Sequence, residues 1–504
     1  MKTIANRIAL AYLIAAQLIG SNLQSAEKTR IEIPKARLII LADMGNEPDE
    51  EQQMFHMLMC HSQFDLEGLI AVSGLHIHPG KRNAYRRVLH PERYLHLIDA
   101  YEQAYHNLHI HAKGWLSPFN LRMLVVKGQP EYGINGAGLG KSTEGSELII
   151  RQVSNDDPRP VFIVVNAGSN TLAQALIDYR ETHTPEELAA FVAKLRVFEN
   201  GAQDDSGAWI AHTFPDIHWI RGMAQSKSYG GPKHDRIGPH VWKPYPYSTK
   251  GQDEWAHEHI RTGHGDFGKV YPMRLYFSRT FENPAFIEGG GTIPWLGLVP
   301  HGLTDPSEQS WGGWSGRYTA EKVENVRTSY SEILVQEEGF KPWYTYADAV
   351  DRWVDPDTGE EHHDEYAAIW HWRQAFWNDF QARMDWCVTP YDQANHHPVA
   401  ALDGDTTNAI IRMSSKTEDV LSFDASASTD PDGDSLRYKW WIYPEAGTRP
   451  YGKKLPLKNA DRAKTSFTIP ADAKGKQLHL ILEVWDNSKI VNLADYRRVV
   501  INVN

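Results

Sequence analysis

The chain has 504 residues, 41% hydrophobic and 11% aromatic, with 64 acidic against 52 basic side chains and a formal charge of −12. That length suggests two to four domains of roughly 100 to 200 residues, with ample chain for a buried core. The acidic balance, with no clustered run of Lys and Arg, excludes nucleic acid as the main partner, because phosphate binding needs such a cluster. Two cysteines, Cys60 and Cys387, exclude a disulfide scaffold; one disulfide or two buried free thiols are both open. The 17 Trp and 22 Tyr suit either a core or platforms for sugar faces, and composition does not separate the two.

Lys2 and Arg7 begin the chain, an apolar run occupies 8–20, and Ser25-Ala26 offers small residues to a signal peptidase. The run is shorter than the roughly 20 residues of a membrane helix. Residues 1–26 therefore read as a signal peptide, with the mature chain periplasmic or secreted and free of the membrane after cleavage. An uncleaved anchor is the alternative, since Gln24 is imperfect at the third position before the cut.

Residues 37–42 (RLIILA) read as a strand, followed by an acidic loop and a helix over 52–60. A second strand is expected over 66–72, a helix over 82–105, a third strand over 161–165 (VFIVV) and a helix over 171–179. Alternating strands and helices indicate an α/β fold with a mostly parallel sheet. In such sheets ligands sit beyond the carboxyl ends of strands, where the acidic loop and the loop at Asn166 fall. Residues 229–340 are irregular and dense in Gly, Trp, Tyr and His, which suits functional loops better than disorder. Residues 366–386 carry Trp and Phe at helical spacing, most simply a core-facing helix. Past residue 395 short alternating strands suggest an immunoglobulin-like β-sandwich. The expected division is a main domain over 35–392 and the β-domain over 396–504.

Asp43, Glu47, Asp49, Glu50 and Glu51 crowd five carboxylates into nine positions. Like charges repel, so such a cluster needs a cation or solvent between its members. Oxygen ligands with no nearby Cys or His favour Ca²⁺ over zinc or copper, though the spacing is not that of an EF-hand. A solvated helix N-terminus would account for Asp49, Glu50 and Glu51 but not for Asp43. Further on, Trp311-Gly-Gly-Trp314-Ser-Gly-Arg317-Tyr318 has two readings. It is a sugar-stacking loop, or a glycine-permitted tight turn with its tryptophans packed underneath. The histidines of 76–111 lack metal-ligand spacing. Asp430-Pro-Asp-Gly-Asp434 is a cation loop or a polar turn. Trp440 and Trp441 alternate on one strand, one expected in the core and one outside.

The strand ending in Asp43-Met-Gly-Asn-Glu-Pro-Asp49-Glu50 resembles the nucleoside hydrolase superfamily signature, in which strand-Asp-x-Gly-x-Asp-Asp binds calcium; here the loop is two residues longer. Asn166-Ala-Gly-Ser-Asn170-Thr-Leu resembles that superfamily's Gly-Gly-Leu-Thr-Asn stretch. Glu67-Gly-Leu-Ile, Gly138-x-Gly-Lys-x-x-Glu144-Gly-Ser, Gln203-Asp-Asp-Ser-Gly, Phe214-Pro-Asp, the loop from Trp311 to Tyr318 and the tail from Phe423 to Asp434 together resemble one bacterial and fungal family. It is the cellulose-binding protein family with a nucleoside hydrolase-like domain and its own C-terminal β-domain. The resemblance implies Ca²⁺ held by Asp43, Asp49, Glu50, the Asn166 main-chain carbonyl and Asp305, with Asp43 also the base that deprotonates water. It sets Asn170, Asp204, Asp205 and His301 toward the substrate, joined by Trp311, Trp314 and Arg317 of the aromatic loop. Thr304 stands where purine-cleaving relatives carry a His, and Leu75 where the superfamily has an Asn. The expected function is calcium-dependent hydrolysis of a glycosyl bond in an N-glycoside or carbohydrate, with plant cell-wall polysaccharide as a candidate partner. The alternative is a carbohydrate-binding protein that kept the fold and lost catalysis.

Overall fold

The computed structural model describes residues 28–45, 48–75, 87–200, 203–222, 224, 229, 255–272, 275–276, 279–280, 289–323, 343–356 and 358–504. The expected signal peptide, Glu47, much of the aromatic stretch 229–340 and part of the histidine stretch 76–111 lie outside the described residues.

The described chain begins with strands β1 (Lys28–Ile31) and β2 (Arg37–Ala42). β2 is buried along its whole length, as a strand covered on both faces must be. Its one charge, Arg37, is fully buried and donates to Glu67 at 2.7 and 3.0 Å and to the carbonyls of Gln152 and Arg159, so four of its five donors are satisfied and its charge is paired. β2 lies inside an eight-stranded sheet with β3 (Asp65–Ala71), β4 (Val125–Lys127), β5 (Val161–Val165), β6 (Leu195–Asn200), β7 (His218–Gly222), β8 (Tyr318–Val323) and β9 (Trp343–Asp348). The order is β8-β9-β7-β6-β5-β2-β3-β4. All neighbours run parallel except β8 against β9.

Alternate residues of β2 serve two cores. Leu38 and Ile40 pack with α1 (Pro48–Cys60) and α2 (Pro91–His111) on one face. Ile39 and Leu41 pack with α3 (Glu144–Val153), α4 (Asn170–Thr182), α5 (Pro185–Lys194) and α6 (Ser206–Thr213) on the other. The expected α/β architecture is therefore present. β6 and β7 were not expected because Glu199, Asn200, His218 and Arg221 interrupt their apolar pattern. The structure neutralises these charges within the sheet: Glu199 accepts from Trp219 Nε1 at 3.2 Å, Arg221 Nε at 2.7 Å and Ser169 Oγ at 3.1 Å. The helix expected over 366–386 breaks into Ala367–Trp370 and α7 (Arg373–Asp385). Its buried Trp370, Trp372, Phe376, Trp377 and Phe380 face the core.

The C-terminal region is strand-rich, with β10 (Ile410–Ser415), β11 (Val420–Asp424), β12 (Leu436–Tyr443), β13 (Lys464–Thr468), β14 (Gln477–Asp486) and β15 (Ala494–Val503). A five-stranded sheet, β1-β10-β15-β14-β12, shares one apolar cluster with the β11-β13 pair through Met413, Phe423, Trp440, Phe467, Leu480 and Ile501. Trp440 is buried and Trp441 half-buried, so β12 alternates as expected. β1 was not anticipated. It crosses from the start of the chain to pair antiparallel with β10, and Arg30 reaches Asp405 at 3.3 Å.

The two domains share a core rather than meeting through a loose linker. Trp314 and Trp372 pack with Tyr443 and Tyr496 of the β-domain in one cluster with the helices. The seam also holds a buried ionic group. Asp379 of α7, 2% exposed, accepts Arg383 Nε on both oxygens at 2.8 Å and His397 Nε2 at 2.7 Å. His397 Nδ1 faces the Ala494 carbonyl at 2.9 Å, and Arg383 donates to the Met59 carbonyl at 3.1 Å. Burial alone would raise the Asp379 pKa, but the Arg383 charge and the His397 hydrogen bond outweigh it and hold the carboxyl below its ordinary range. Asp379→Asn would leave the Arg383 guanidinium buried without a counter-charge, an expected loss of about 3 to 5 kcal/mol in denaturant unfolding. Because the folded pKa is depressed, the wild-type advantage is present above roughly pH 4 and is lost only as pH falls through the folded value.

Candidate functional site

The carboxyl ends of β2, β3 and β5 are held level by backbone bonds, Val72 N–H to the Ala42 carbonyl at 3.0 Å and Asn166 N–H to the Leu41 carbonyl at 2.9 Å. Asp43 is the first residue past β2 and is 3% exposed. Gly74, past β3, lies directly over it: a Cβ there would stand 2.6 Å from both Asp43 Oδ2 and Gln203 Oε1. Only glycine permits that approach. Gln203 Oε1 accepts the Leu75 N–H at 3.1 Å and its Nε2 donates to the Asn166 carbonyl at 3.2 Å. This one side chain ties the loop after β3 to the loop after β5. The phenol of Tyr94 on α2 is raised well above its ordinary pKa by burial and by the nearby charges of Glu50 and Asp43.

The neighbouring polar residues hold backbone. Asp204 Oδ1 accepts the N–H groups of Ser169 at 3.1 Å and Ser206 at 2.9 Å. Asp205 Oδ1 accepts the Ile134 N–H at 2.7 Å. Asn170 Nδ2 donates to Ser73 Oγ at 3.0 Å and to the Glu131 carbonyl at 2.6 Å. On the first turn of α1, Glu51 pairs with Arg93 of α2 at 2.5 Å, and Asp49, Glu50 and Glu51 sit where the helix dipole favours acids.

The remaining expected site residues lie elsewhere. Gly291 packs on the Asn166 amide, whose Nδ2 donates to the Gly291 carbonyl at 3.3 Å. From there the chain runs along the sheet face. Asp305 accepts the Ser307 N–H at 2.9 Å and Oγ at 2.6 Å, and it lines a small cavity with Phe162, Arg196 and His218. His301 packs in tilted contact with Trp314 at 4.4 Å and Tyr496 at 5.0 Å, and burial lowers its pKa to about 3. Trp311 and Trp314 are each 2% exposed. Arg317 pairs with buried Asp351 at 2.6 Å and donates to the Val350 carbonyl. Gly312 (φ +76°) and Gly316 (φ +88°) make the tight turn that leaves both tryptophans packed underneath. Arg498 clamps this turn to the β-domain through the carbonyls of Trp311 at 2.8 Å and Gly312 at 2.9 Å.

Calcium takes six to eight oxygens at about 2.3 to 2.6 Å. Among the described residues, Asp43, Asp49, Glu50 and Asp305 do not bring three ligand oxygens within 4.8 Å of one another. The Asn166 carbonyl accepts from Gln203, and Leu75 offers no ligand. Among the described residues no three of these carboxylates therefore converge on one point. His56, Cys60 and Asp379 do approach within 4.8 Å, but Asp379 is held by Arg383, and burial lowers the His56 pKa to about 3 and raises the Cys60 thiol. Both cysteines are buried and free. Gln203, read in the sequence only as part of a family motif, and Gly74 are the positions beside Asp43 that sequence reasoning did not assign to the site. Their signal was position, since Gln203 follows β6, and β6 was unread.

Burial raises the Asp204 pKa to about 7, with Asp205 and Glu199 adding and the two backbone N–H groups opposing. A raised carboxyl stabilises the fold fully below its unfolded pKa of about 4 and loses that contribution as pH rises through about 7. Asp204→Asn, which keeps the accepting oxygen and removes the titration, is expected to match wild type near pH 5 and exceed it above pH 7 in thermal unfolding.

Residues 37–318 match the family described as cellulose-binding Sde182, nucleoside hydrolase-like domain, and residues 420–503 match the cellulose-binding protein Sde0182, C-terminal domain. A solved structure from Saccharophagus degradans, described as a nucleoside hydrolase-related hypothetical protein associated with carbohydrate metabolism, is 35% identical. The alignment covers 94% of this chain and 100% of that one, with a TM-score of 0.74. The effector protein XOO4466 aligns over 63% of this chain and 88% of its own at 11% identity and a TM-score of 0.27, too low to carry an argument. No curated protein matches. The parallel sheet and these likenesses define a nucleoside hydrolase-like α/β protein with a strand-rich C-terminal domain. The chain belongs to the cellulose-binding Sde182 family.

Proposed function

We propose that this protein is an exported carbohydrate-binding protein that uses the nucleoside hydrolase-like fold without metal-dependent hydrolysis, with cellulose or another plant cell-wall polysaccharide as its partner. Family membership supports the carbohydrate partner. The observation that supports the non-catalytic reading is that among the described residues Asp43, Asp49, Glu50 and Asp305 do not converge three carboxylates on one point, while Gln203 ties the loops beside Asp43 together. Asp305 agrees with it, since it lines a cavity whose lining does not include Asp43, Asp49 or Glu50. Export rests on the segment 1–26 alone.

Calcium-dependent hydrolysis of a glycosyl bond is the second reading, and Asp43 favours it. A carboxylate buried beyond the end of a central parallel strand sits where α/β proteins place ligands, and it would there accept the proton of an attacking water.

Incubation with insoluble cellulose and with plant polysaccharide oligosaccharides and nucleosides, each with and without chelator, separates the readings. Retention on cellulose that chelator does not weaken, with no release of reducing sugar or free base, is the expected result. Turnover that both chelator and Asp43→Asn abolish would overturn the binding-only reading in favour of the hydrolase.

A further inference from the structure

Two buried histidines meet where the domains join. His111 is the last residue of α2, and His396 belongs to the connection between the domains. Their ring centroids lie 5.2 Å apart with the planes within 25° of each other, the arrangement of two rings joined edge to edge through nitrogen. Trp386 lies nearly parallel to both, 5.4 Å from each, and Tyr391 stacks on His396 at 4.0 Å.

The partners of the four ring nitrogens fix how many protons the pair must hold. His111 Nε2 faces the Thr389 carbonyl at 2.9 Å, and a carbonyl only accepts, so that nitrogen carries a hydrogen. His396 Nδ1 faces both oxygens of Asp432 at 2.9 and 3.1 Å, and the His396 main-chain N–H donates to the same carboxylate at 2.7 Å. His396 Nδ1 therefore donates as well. The two remaining nitrogens, His111 Nδ1 and His396 Nε2, lie 3.0 Å apart and need one hydrogen between them. Three hydrogens on four nitrogens is one more than two neutral rings carry. The pair thus holds one positive charge, opposite Asp432 and at the carboxyl end of α2, where the helix dipole favours it. Moving one hydrogen onto Asp432 leaves the count unchanged. The surrounding charges have partners of their own. Asp430 Oδ1 closes the 430–434 loop as a polar turn by accepting the N–H groups of Asp432 and Asp434, and Asp486 accepts from Asn395. Asp385 pairs with His264, His397 pairs with Asp379, Arg383 lies over the Trp386 ring at 5.1 Å, and His109 packs on Tyr105.

We propose that His111, His396 and Asp432 form a pH-sensitive latch between the domains, closed by one shared proton and released when that proton leaves. Its loss sets two acceptors against each other at one junction of the chain, and buried acceptors without a hydrogen between them oppose burial. A fourth proton is also disfavoured, because both rings would then be cations in contact. Burial, and after it the His396 charge, lowers the His111 pKa against the opposing Thr389 bond and Asp432. The sign on each side follows from the proton counts. Above about pH 6.5 an unfolded chain holds two protons on these rings and the latched protein three, so stability falls as pH rises. Below it the unfolded chain holds four, and stability falls as pH falls. The latch is closed in a window around neutral pH. Arg383 keeps its charge on Asp379 throughout, so release frees 386–396 and the 430–434 loop without parting the domains.

Deuterium exchange at the imidazole C2 carbon, resolved residue by residue by mass spectrometry across the pH range, tests the count in wild type. His111 and His396 are expected to titrate together in two steps, one below and one above about pH 6.5, as coupled sites do. A single independent step at about pH 6.5 for each residue would overturn the latch. Amide exchange, corrected for its intrinsic pH dependence, is expected to lose about tenfold protection over 386–396 for each pH unit above the alkaline step. Two variants separate this loss from the titration of His397. His111→Phe keeps a ring against Trp386 and removes the junction, so a neutral His396 suffices and the alkaline loss disappears. Asp432→Asn keeps an accepting oxygen and removes the charge, so the alkaline step moves down by about one unit or more. An undiminished loss in His111→Phe, or an unmoved step in Asp432→Asn, would also overturn the proposal. Should either variant not fold, the wild-type titration decides alone.

Discussion

Asp379 is a carboxylate almost completely removed from water, and such a group is stable only when paired and hydrogen-bonded. Its partners come from three parts of the molecule. Arg383 lies one turn further along α7 and reaches the Met59 carbonyl near the end of α1. His397 comes from the connection between domains and faces Ala494 at the start of β15. One buried charge thus fixes α7 against α1 and orients the β-domain on the α/β domain. The connection at residues 395–398 consequently behaves as a clamp. Asn395 adds to it by donating to Asp486 at 2.8 Å and to the Val491 carbonyl at 2.8 Å.

The same logic extends across the seam. Arg498, fully buried on β15, donates to the carbonyls of Trp311 and Gly312, and burial lowers its pKa to about 9, so it stays protonated at neutral pH. Trp314, Tyr496, Trp372 and Tyr443 fill the space around it with rings at 5.9 to 6.3 Å. A loop rich in Trp and Gly is the natural solution here. Indoles supply the buried area, and glycines supply backbone that a neighbouring domain can approach closely. Part of the aromatic surplus of the composition joins the domains.

At the carboxyl ends of the sheet the polar residues act mainly on backbone. Gln203, Asp204, Asp205 and Asn170 each bind N–H or carbonyl groups of loops that follow different strands. A fold that elsewhere can carry chemistry is here braced by side chains that span its loops. Function lives in the site and not in the fold.

Strands β2, β3 and β5 were legible because continuous apolar runs bounded by Gly, Asn and Asp leave few alternatives, and the helix after each follows from its periodicity. The strand-rich tail was legible from alternation and turn residues, and Asp43 stood out as a charge ending an apolar strand. β6 and β7 were hidden because polar residues interrupt their pattern and Glu199 and Arg221 pair only across the assembled sheet. β1 was hidden because four mostly exposed residues carry no pattern until the edge of β10 is beside them. Local order along the chain thus determined the α/β class, the strand-rich tail, the family resemblance and the carboxyl-end position of Asp43. Tertiary structure alone decided which side chains share a site: Asp305 left the acidic loop for another cavity, His301, Trp311 and Trp314 went into the seam, and Gln203 entered beside Asp43. The physical reason is that a ligand set or a buried pair is a relation between distant segments, fixed by how strands register and how charges must be neutralised on burial, and no local stretch encodes it.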